Sequence, residues 1–544
     1  MIRPPSRLRN SPVVEGSPSV ALEKGGSRMR APHLGRYRAS TPDSQPEPRA
    51  RSQTQSRERE HYLRQNTVIA VLIVLLAFCC IASFAAAYYL FSSRWEYRHF
   101  LPPPPSANSL QPEAIDIDTI QETILDGRDH GLDEKYLSYL PHSGFHNQRI
   151  ALENAIVLSF LLNRTLIMPP IRLGNRPIRY LKHDTLTTHL ALSDKEGLLH
   201  CANLSPTTTL PLECLDYYDY THIDWEWLVD LRPAMSPAKI LHRSNMTNSW
   251  IIDTLRIARR ETFVLRDNQP YQFRFLDTLS DASPSTDRYS QDIYIDNLAL
   301  RTERLLRIGT LFGSSRLRLK DPANKELRKK VRRQMAFANL FLLRAAESIN
   351  NTLGGKYYGA HVRLGDGRFR AHAEENSRVI WRRLVSTVLP KQSAGNLTIL
   401  EELFWANVSS PPSVVLHPNN TDPSHSPAFC RAPLHDDRTH PFNTPLFLST
   451  DVLEPYSNSL LSGFFRAFPC TFVLEDFSKE TAELDRLRNA RDGVMLKSFL
   501  VPFLDAIVVG KAAVAVGTDG STFSTFILDV LWRTYHGMDI RSRG

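Results

Sequence analysis

The chain has 544 residues, 42% hydrophobic and 23% charged, with a formal net charge of +9. That excess is local: residues 1–66 hold 13 Lys and Arg against 6 Asp and Glu, and the rest of the chain holds 53 against 51. The large C-terminal part shows no basic stretch interleaved with aromatic residues, so a basic balance does not make this a nucleic-acid binder.

Residues 1–66 are poor in apolar side chains and rich in Pro, Ser, Arg and Gln, which predicts a disordered basic tail able to touch anionic lipid. Residues 67–91 follow, 25 in a row without a charge. As a helix they would rise about 37 Å, enough to cross a ~30 Å hydrocarbon core with some tilt. Tyr88 and Tyr89 near one end, and Trp95 beyond it, suit the headgroup level. The run is too long and too far from Met1 for a signal peptide. The Arg-rich flank predicts a single-pass type II arrangement, with the tail cytosolic and the rest in the lumen of the Golgi apparatus or endoplasmic reticulum.

Residues 92–131 read as a stem, with Pro102 to Pro105 as a stiff spacer. The triplet Asp116-Ile117-Asp118 in this stem reads as a solvated acidic turn rather than a metal site. N-x-Ser/Thr sequons follow the apolar run, among them Asn163, Asn245, Asn350, Asn396, Asn407 and Asn419, and none precedes it, as in a luminal protein. Cys79 and Cys80 belong to the apolar run. Cys201, Cys214, Cys430 and Cys470 remain for an oxidising lumen, with three pairings open and Cys201–Cys214 plus Cys430–Cys470 the local choice. No C-x-x-C or H-E-x-x-H occurs, so nothing signals zinc.

About 410 residues remain, more than one core usually serves, so two α/β domains are expected at 132–353 and 354–544, with an insertion around 390–460. The spacing predicts a helix over 147–162, a strand over 165–168 stopped by Pro169-Pro170, and a long helical stretch over 322–350. Further strands are predicted over 358–362, 414–416, 471–474 and 514–516, with a helix from about Ser521 to Trp532. Strand–helix alternation favours parallel sheets, with a cleft at the carboxyl ends of the strands.

Two segments carry site chemistry. His361-Val362-Arg363-Leu364-Gly365-Asp366 ends a strand and offers a planar guanidinium, suited to a diphosphate. Gly517 to Ser524 has the composition of an anion-binding turn ahead of a helix, where Ser521 and Thr522 add hydroxyls and Phe523 a ring. His361 shares the strand face of Arg363, and Asp366 reads as a cap or as an orienter of Arg363. Ser521 is open to reading as a helix cap alone, and Arg363 as an ion pair.

With Gly144-Phe145-His146-Asn147-Gln148-Arg149, Leu161 to Leu166, Pro169-Pro170 and Phe312-Gly313-Ser314, these segments resemble the GDP-fucose protein O-fucosyltransferase superfamily, in a divergent, fungal-looking form. The ordered set spans roughly 140–540. The resemblance implies a GT-B-like fold, two Rossmann-like domains facing a cleft, and inverting transfer of fucose from GDP-fucose to a protein or glycan hydroxyl. It implies no metal and no cofactor. By the same resemblance Ser521, Thr522 and Phe523 would contact GDP, and Asp505 the guanine edge. Gly144, His146 and Asn147 would face the β-phosphate or fucose from the other domain, with Arg363 drawing off leaving-group charge. One branch of the family has an acidic base at about Ser143. Serine cannot do that work, which leaves a weakly assisted reaction, a substitute histidine (His142 or His146), or lost activity. Transfer from another GDP-sugar, and an inactive membrane-anchored glycan-binding protein, stay open as alternatives.

Overall fold

A computed structural model of the chain describes residues 75–77, 79, 80, 83, 134–204, 211–235, 239–278, 288–389, 397–405 and 430–541. The chain divides into two compact units, Met1–Ser109 and Leu110–Gly544. Of the first, only helical residues between Leu75 and Ser83 are described. The expected tail, stem and acidic triplet lie outside the described residues, as do Asn396, Asn407, Asn419 and the candidate strand 414–416. So does most of the apolar run 67–91. No helix among the described residues is long and apolar enough to cross a membrane.

The second unit is built on parallel sheets. Its strands, in chain order, are β1 (Tyr136–Ser138), β2 (Thr165–Met168), β3 (Ile171–Gly174), β4 (Tyr220–Ile223), β5 (Ile240–His242), β6 (Thr262–Leu265) and β7 (Phe273–Leu276). They continue with β8 (Gln291–Tyr294), β9 (Leu305–Ile308), β10 (Leu317–Arg318), β11 (Tyr358–Val362), β12 (Leu446–Thr450), β13 (Thr471–Phe472) and β14 (Val514–Gly517). One all-parallel sheet has the order β5-β2-β1-β9-β6, and a second has the order β13-β12-β11-β14. β10-β7-β8 form a smaller parallel sheet, and β3 and β4 an antiparallel pair. The central strands are buried along their whole length, as sheets covered on both faces require.

The helices that bear on the site are α1 (Phe145–Leu161), α2 (Pro322–Gln334), α3 (Leu340–Thr352), α4 (Ala373–Val388), α5 (Lys497–Lys511) and α6 (Thr522–Phe526). The single long helix expected over 322–350 is two helices. Asn339 accepts from the amides of Phe341 and Leu342 and starts α3 afresh. Between them Met335 and Phe337 turn inward, 0% and 2% exposed, and Phe337 bridges to Val229. Burial of two apolar side chains outweighs helix continuity there. The strand expected over 471–474 is shortened to Thr471–Phe472, and the helix expected from Ser521 to Trp532 turns into a π-helical segment at Ile527–Leu531.

One hydrophobic cluster runs through both halves of the unit, from Leu137 and Leu152 to Phe503 and Phe526. Polar links join the same halves: Lys195 Nζ donates to Asp492 Oδ2 at 2.8 Å, Thr221 Oγ1 donates to the same oxygen at 2.9 Å, and Asn489 donates to Thr221 Oγ1 at 2.7 Å. The sulfur atoms of Cys201 and Cys214, and of Cys430 and Cys470, lie at bonding distance, the local pairing.

Candidate functional site

The two segments singled out above meet because their strands are neighbours. β11 pairs with β14 in parallel, with His361 opposite Gly517, so both chains leave the sheet at the same end. The turn after β14 is then fastened to the one after β11. Thr518 Oγ1 accepts from the Arg363 amide at 2.8 Å, and the Thr518 amide donates to the His361 carbonyl at 3.2 Å. His361 Nδ1 lies 2.7 Å from Ser524 Oγ, which also accepts from the Thr518 amide at 3.1 Å. A Cβ on Gly517 would lie 2.7 Å from that of Ser524, so glycine is what lets α6 approach the strand. Gly520 has φ +69, and its carbonyl accepts from Arg368 at 2.6 Å. Asp519 pairs with Arg383 of α4 at 2.7 Å.

Arg363 is held by Asp366 through Nε at 3.2 Å and a terminal nitrogen at 2.6 Å, with its guanidinium 4.9 Å from the centre of the Phe369 ring. The side chain is 31% exposed, so it is oriented and still within reach of solvent or ligand. Asp366 thus orients Arg363. Asp451, beyond β12, accepts from the amides of Leu364 (2.8 Å) and Gly365 (3.0 Å) and fixes the loop. No sequence pattern marked Asp451, which lies far from this loop along the chain.

His361 is 6% exposed, and burial, with Arg363 nearby, lowers its imidazole to about 4. It buttresses the turn through Ser524 rather than reaching Arg363. Ser521 is 1% exposed and is the N-cap of α6, its Oγ accepting from the Ser524 amide at 3.3 Å. Thr522 is exposed and Phe523 half-buried. Asp505 lies in the interior of α5, half-buried between Leu504 and Ala506, so it is not a helix cap.

The loop after β1 meets this turn. The His146 ring lies 4.2 Å from that of Phe523 and 5.1 Å from that of Phe526, centre to centre. Both His146 ring nitrogens are buried without a hydrogen-bond partner among the described residues. Burial, then Arg149, His361 and Arg363, hold this imidazole well below its usual range, so it is neutral. Asn147 is half-buried at the start of α1 and makes no side-chain hydrogen bond among the described residues. Gly144 is exposed, and a Cβ there would meet nothing within 4 Å.

Other motif residues serve the scaffold. Gln148 donates to the carbonyls of Ser143 (3.1 Å) and Arg172 (2.8 Å). Arg149 pairs with Glu153 at 3.2 Å, and its guanidinium lies 4.5 Å from the centre of the Phe526 ring. Asn154 donates to the carbonyls of Leu311 (2.9 Å) and Gly313 (3.0 Å), and Arg164 to those of Glu303 and Arg301, both at 2.9 Å.

No family model matches the chain. A 40-residue segment is 55% identical to O-fucosyltransferase 30 of Arabidopsis thaliana, which is 7% of this chain and 8% of that protein's length. Among solved structures, POFUT1 in complex with GDP-fucose aligns over 75% of this chain and 96% of its own, with 10% identity and a TM-score of 0.33. POFUT1 in complex with GDP aligns over the same shares, with 10% identity and a TM-score of 0.34.

Proposed function

We propose that this chain is a glycosyltransferase that moves fucose from GDP-fucose to a hydroxyl of a protein or glycan, with inversion. On this reading it has a GT-B-like arrangement of two Rossmann-like domains, 132–353 and 354–544, and residues 67–91 anchor it with the catalytic part in the Golgi or endoplasmic-reticulum lumen. The carrying observation is that an oriented, solvent-reachable Arg363 and the Ser521–Phe523 turn share one sheet end and meet His146 from the other half. The local identity to an O-fucosyltransferase supports the same reading.

The chemistry follows from charge. Breaking the bond between sugar C1 and the β-phosphate oxygen builds negative charge on that oxygen. Arg363 neutralises it with a planar fork of donors, and the backbone of Ser521 and Thr522 with the exposed Thr522 hydroxyl takes the remaining oxygens, the buried Ser521 hydroxyl capping the helix. The donor would come into the place Asp366 leaves open on Arg363. Gly144 lets a backbone amide approach without a side chain in the way, Asn147 offers polar atoms to the sugar or β-phosphate, and His146 backs the site with its ring against Phe523. His361 keeps the turn in place through Ser524 and lies behind the diphosphate. Phe523 packs beside the nucleoside, and Asp505 is the carboxylate assigned to guanine N–H donors. Charge neutralisation falls to Arg363, so donor binding needs no metal.

Calorimetry on the full-length protein against GDP, UDP and ADP, in EDTA, tests this reading. GDP binds tightest, and Asp505→Ala weakens it by roughly tenfold or more, since a charge-assisted hydrogen bond is worth about 1.5–3 kcal/mol. Equal affinity for all three rejects the guanine assignment. Absence of binding to any of them favours a membrane-anchored glycan-binding protein without turnover.

A further inference from the structure

Behind the loop that follows β1, side chains form a single hydrogen-bonded row. Ser143 Oγ lies 2.7 Å from His142 Nδ1, and His142 Nε2 lies 2.6 Å from Thr310 Oγ1. Thr310 is fixed in turn. Its amide donates to Asp267 Oδ2 at 3.1 Å, and its Oγ1 accepts from the Phe312 amide at 3.1 Å. His142, Thr310 and Asp267 are 4%, 3% and 1% exposed, whereas Ser143, at the head of the row, is half-buried.

Ser143 is held there against its backbone preference. Its φ is +67, in the left-handed region. Its amide donates to the Ile178 carbonyl at 2.6 Å, and its carbonyl accepts from Gln148 at 3.1 Å. A serine in that region persists only where its surroundings over-determine it, and such residues gather at working sites. Three residues further on, His146 packs its ring on Phe523 of the donor turn, and chain length alone keeps the Cα atoms of Ser143 and His146 within about 10 Å of each other.

Resting on the transferase reading, we propose that Ser143 receives the acceptor's proton and hands its own hydroxyl proton to His142 Nδ1, while Thr310 Oγ1 accepts from Nε2–H and holds the ring. The acceptor oxygen forms a bond to sugar C1 as the bond from C1 to the β-phosphate oxygen breaks, and that electron pair leaves with GDP. The acceptor's proton moves to Ser143 Oγ and the serine proton to His142. Serine ends neutral, and the imidazolium returns its proton through Ser143 to water after product leaves. His146 has no such outlet, because neither of its ring nitrogens has a partner among the described residues.

The surroundings of His142 suit a brief proton stop. Tyr180 and Phe312 face its ring edge-on at 5.6 Å and 5.5 Å, and Arg316 and, through Thr310, Asp267 are the charged groups around it. Burial first, then Arg316, lowers its imidazole to about 4, so it is neutral at ordinary pH. A weak base suffices here, because the acceptor proton becomes strongly acidic once its oxygen has bonded to an oxocarbenium-like carbon.

Ser143→Gly removes the hydroxyl and accepts a positive φ without strain, and Ser143→Asp puts a carboxylate at the same point in a conformation aspartate tolerates. With the full-length protein, GDP release from GDP-fucose is measured with water as the acceptor, and GDP affinity by calorimetry. Ser143→Gly lowers kcat about 10²-fold, the scale of a lost proton acceptor. Donor KM and GDP affinity change by less than about twofold, within scatter on the free-energy scale. His142→Gln matches it. Ser143→Asp restores most of the rate and keeps it when His142→Gln is added, because a carboxylate needs no histidine behind it. An unchanged kcat in Ser143→Gly overturns the relay. So does a loss carried by donor KM or GDP affinity, or a Ser143→Asp no faster than Ser143→Gly. A wild-type protein that releases no GDP fails as a transferase and takes the relay with it, a different result from an active enzyme indifferent to Ser143.

Discussion

Arg363 reaches the carboxyl end of β11 already paired, with Asp366 beside its fork and the Phe369 ring against its guanidinium. An exposed pair of this kind adds little stability, so what it contributes is direction. Replacing Arg363 by Ala lowers turnover about 10²–10³-fold, the scale of a lost transition-state donor. Arg363→Lys falls between, because it keeps the charge and loses the planar fork. Rates of GDP release from GDP-fucose check both, and a wild-type rate in Arg363→Ala removes the assignment. The residue types in this loop were legible in the sequence as a guanidinium at the end of a buried strand, open there to a diphosphate or to an ion pair. Asp451 was not, because an aspartate acquires its partners only when β12 is laid beside β11.

Within α1, Glu153 is 2% exposed and accepts from Arg149 at 3.2 Å and from Arg332 of α2 at 2.7 Å. Burial by itself would raise this carboxyl, but Arg332, Arg149 and Arg328 bring it below its usual range. Through Arg149, whose guanidinium lies 4.5 Å from the centre of the Phe526 ring, the same network touches the helix that carries Ser521 and Phe523. Glu153→Ala leaves two buried guanidinium groups short of a carboxylate, and is expected to cost about 3–5 kcal/mol of unfolding free energy in denaturant. A loss under about 1 kcal/mol, the scale of an exposed pair, means the network is not buried in solution. The helix α1 was readable from its apolar spacing to within two residues at its start and one at its end. The interruption between α2 and α3 was not, because Met335 and Phe337 fit a helical pattern equally well and go inward only when Val229 and the core are there to receive them.

Across the whole molecule, buried histidines make stability depend on pH. His142 and His361 are 4% and 6% exposed, and burial, aided by Arg316 and Arg363 respectively, lowers each to about 4. In the unfolded chain both titrate near about 6.5. Their contribution is therefore fully present above about pH 6.5 and lost as pH falls toward about 4, where the unfolded state binds protons that the folded state refuses. Each adds up to about 1.4 kcal/mol of loss per pH unit in that window. Denaturant titrations at several pH values check this, and His361→Asn makes the dependence shallower. A flat profile between pH 6.5 and 4 contradicts it, both limits taken from those two positions of the proton equilibrium. At the same scale, the proposed anchor predicts that in intact microsomes residues 1–66 are open to cytosolic protease while the remainder is protected and carries N-glycan. A protected tail, or a second unit without glycan at any sequon, refutes that topology.

By itself the sequence determined the parallel α/β class, the strands around residues 165, 358 and 514, and the two turns read as a candidate site. Each of these is a short-range property, apolar runs flanked by glycine and hydroxyl residues, whereas the cysteine pairing stayed open until the structure placed the sulfur atoms. Tertiary structure alone decided which polar groups meet. Strand order put His361 opposite Gly517, the approach of the two halves set His146 against Phe523, and the packing of residues far apart in the chain lined up Ser143, His142 and Thr310. Hydrogen bonds act over about 3 Å, and residues separated by more than a hundred positions come that close only after the core has formed.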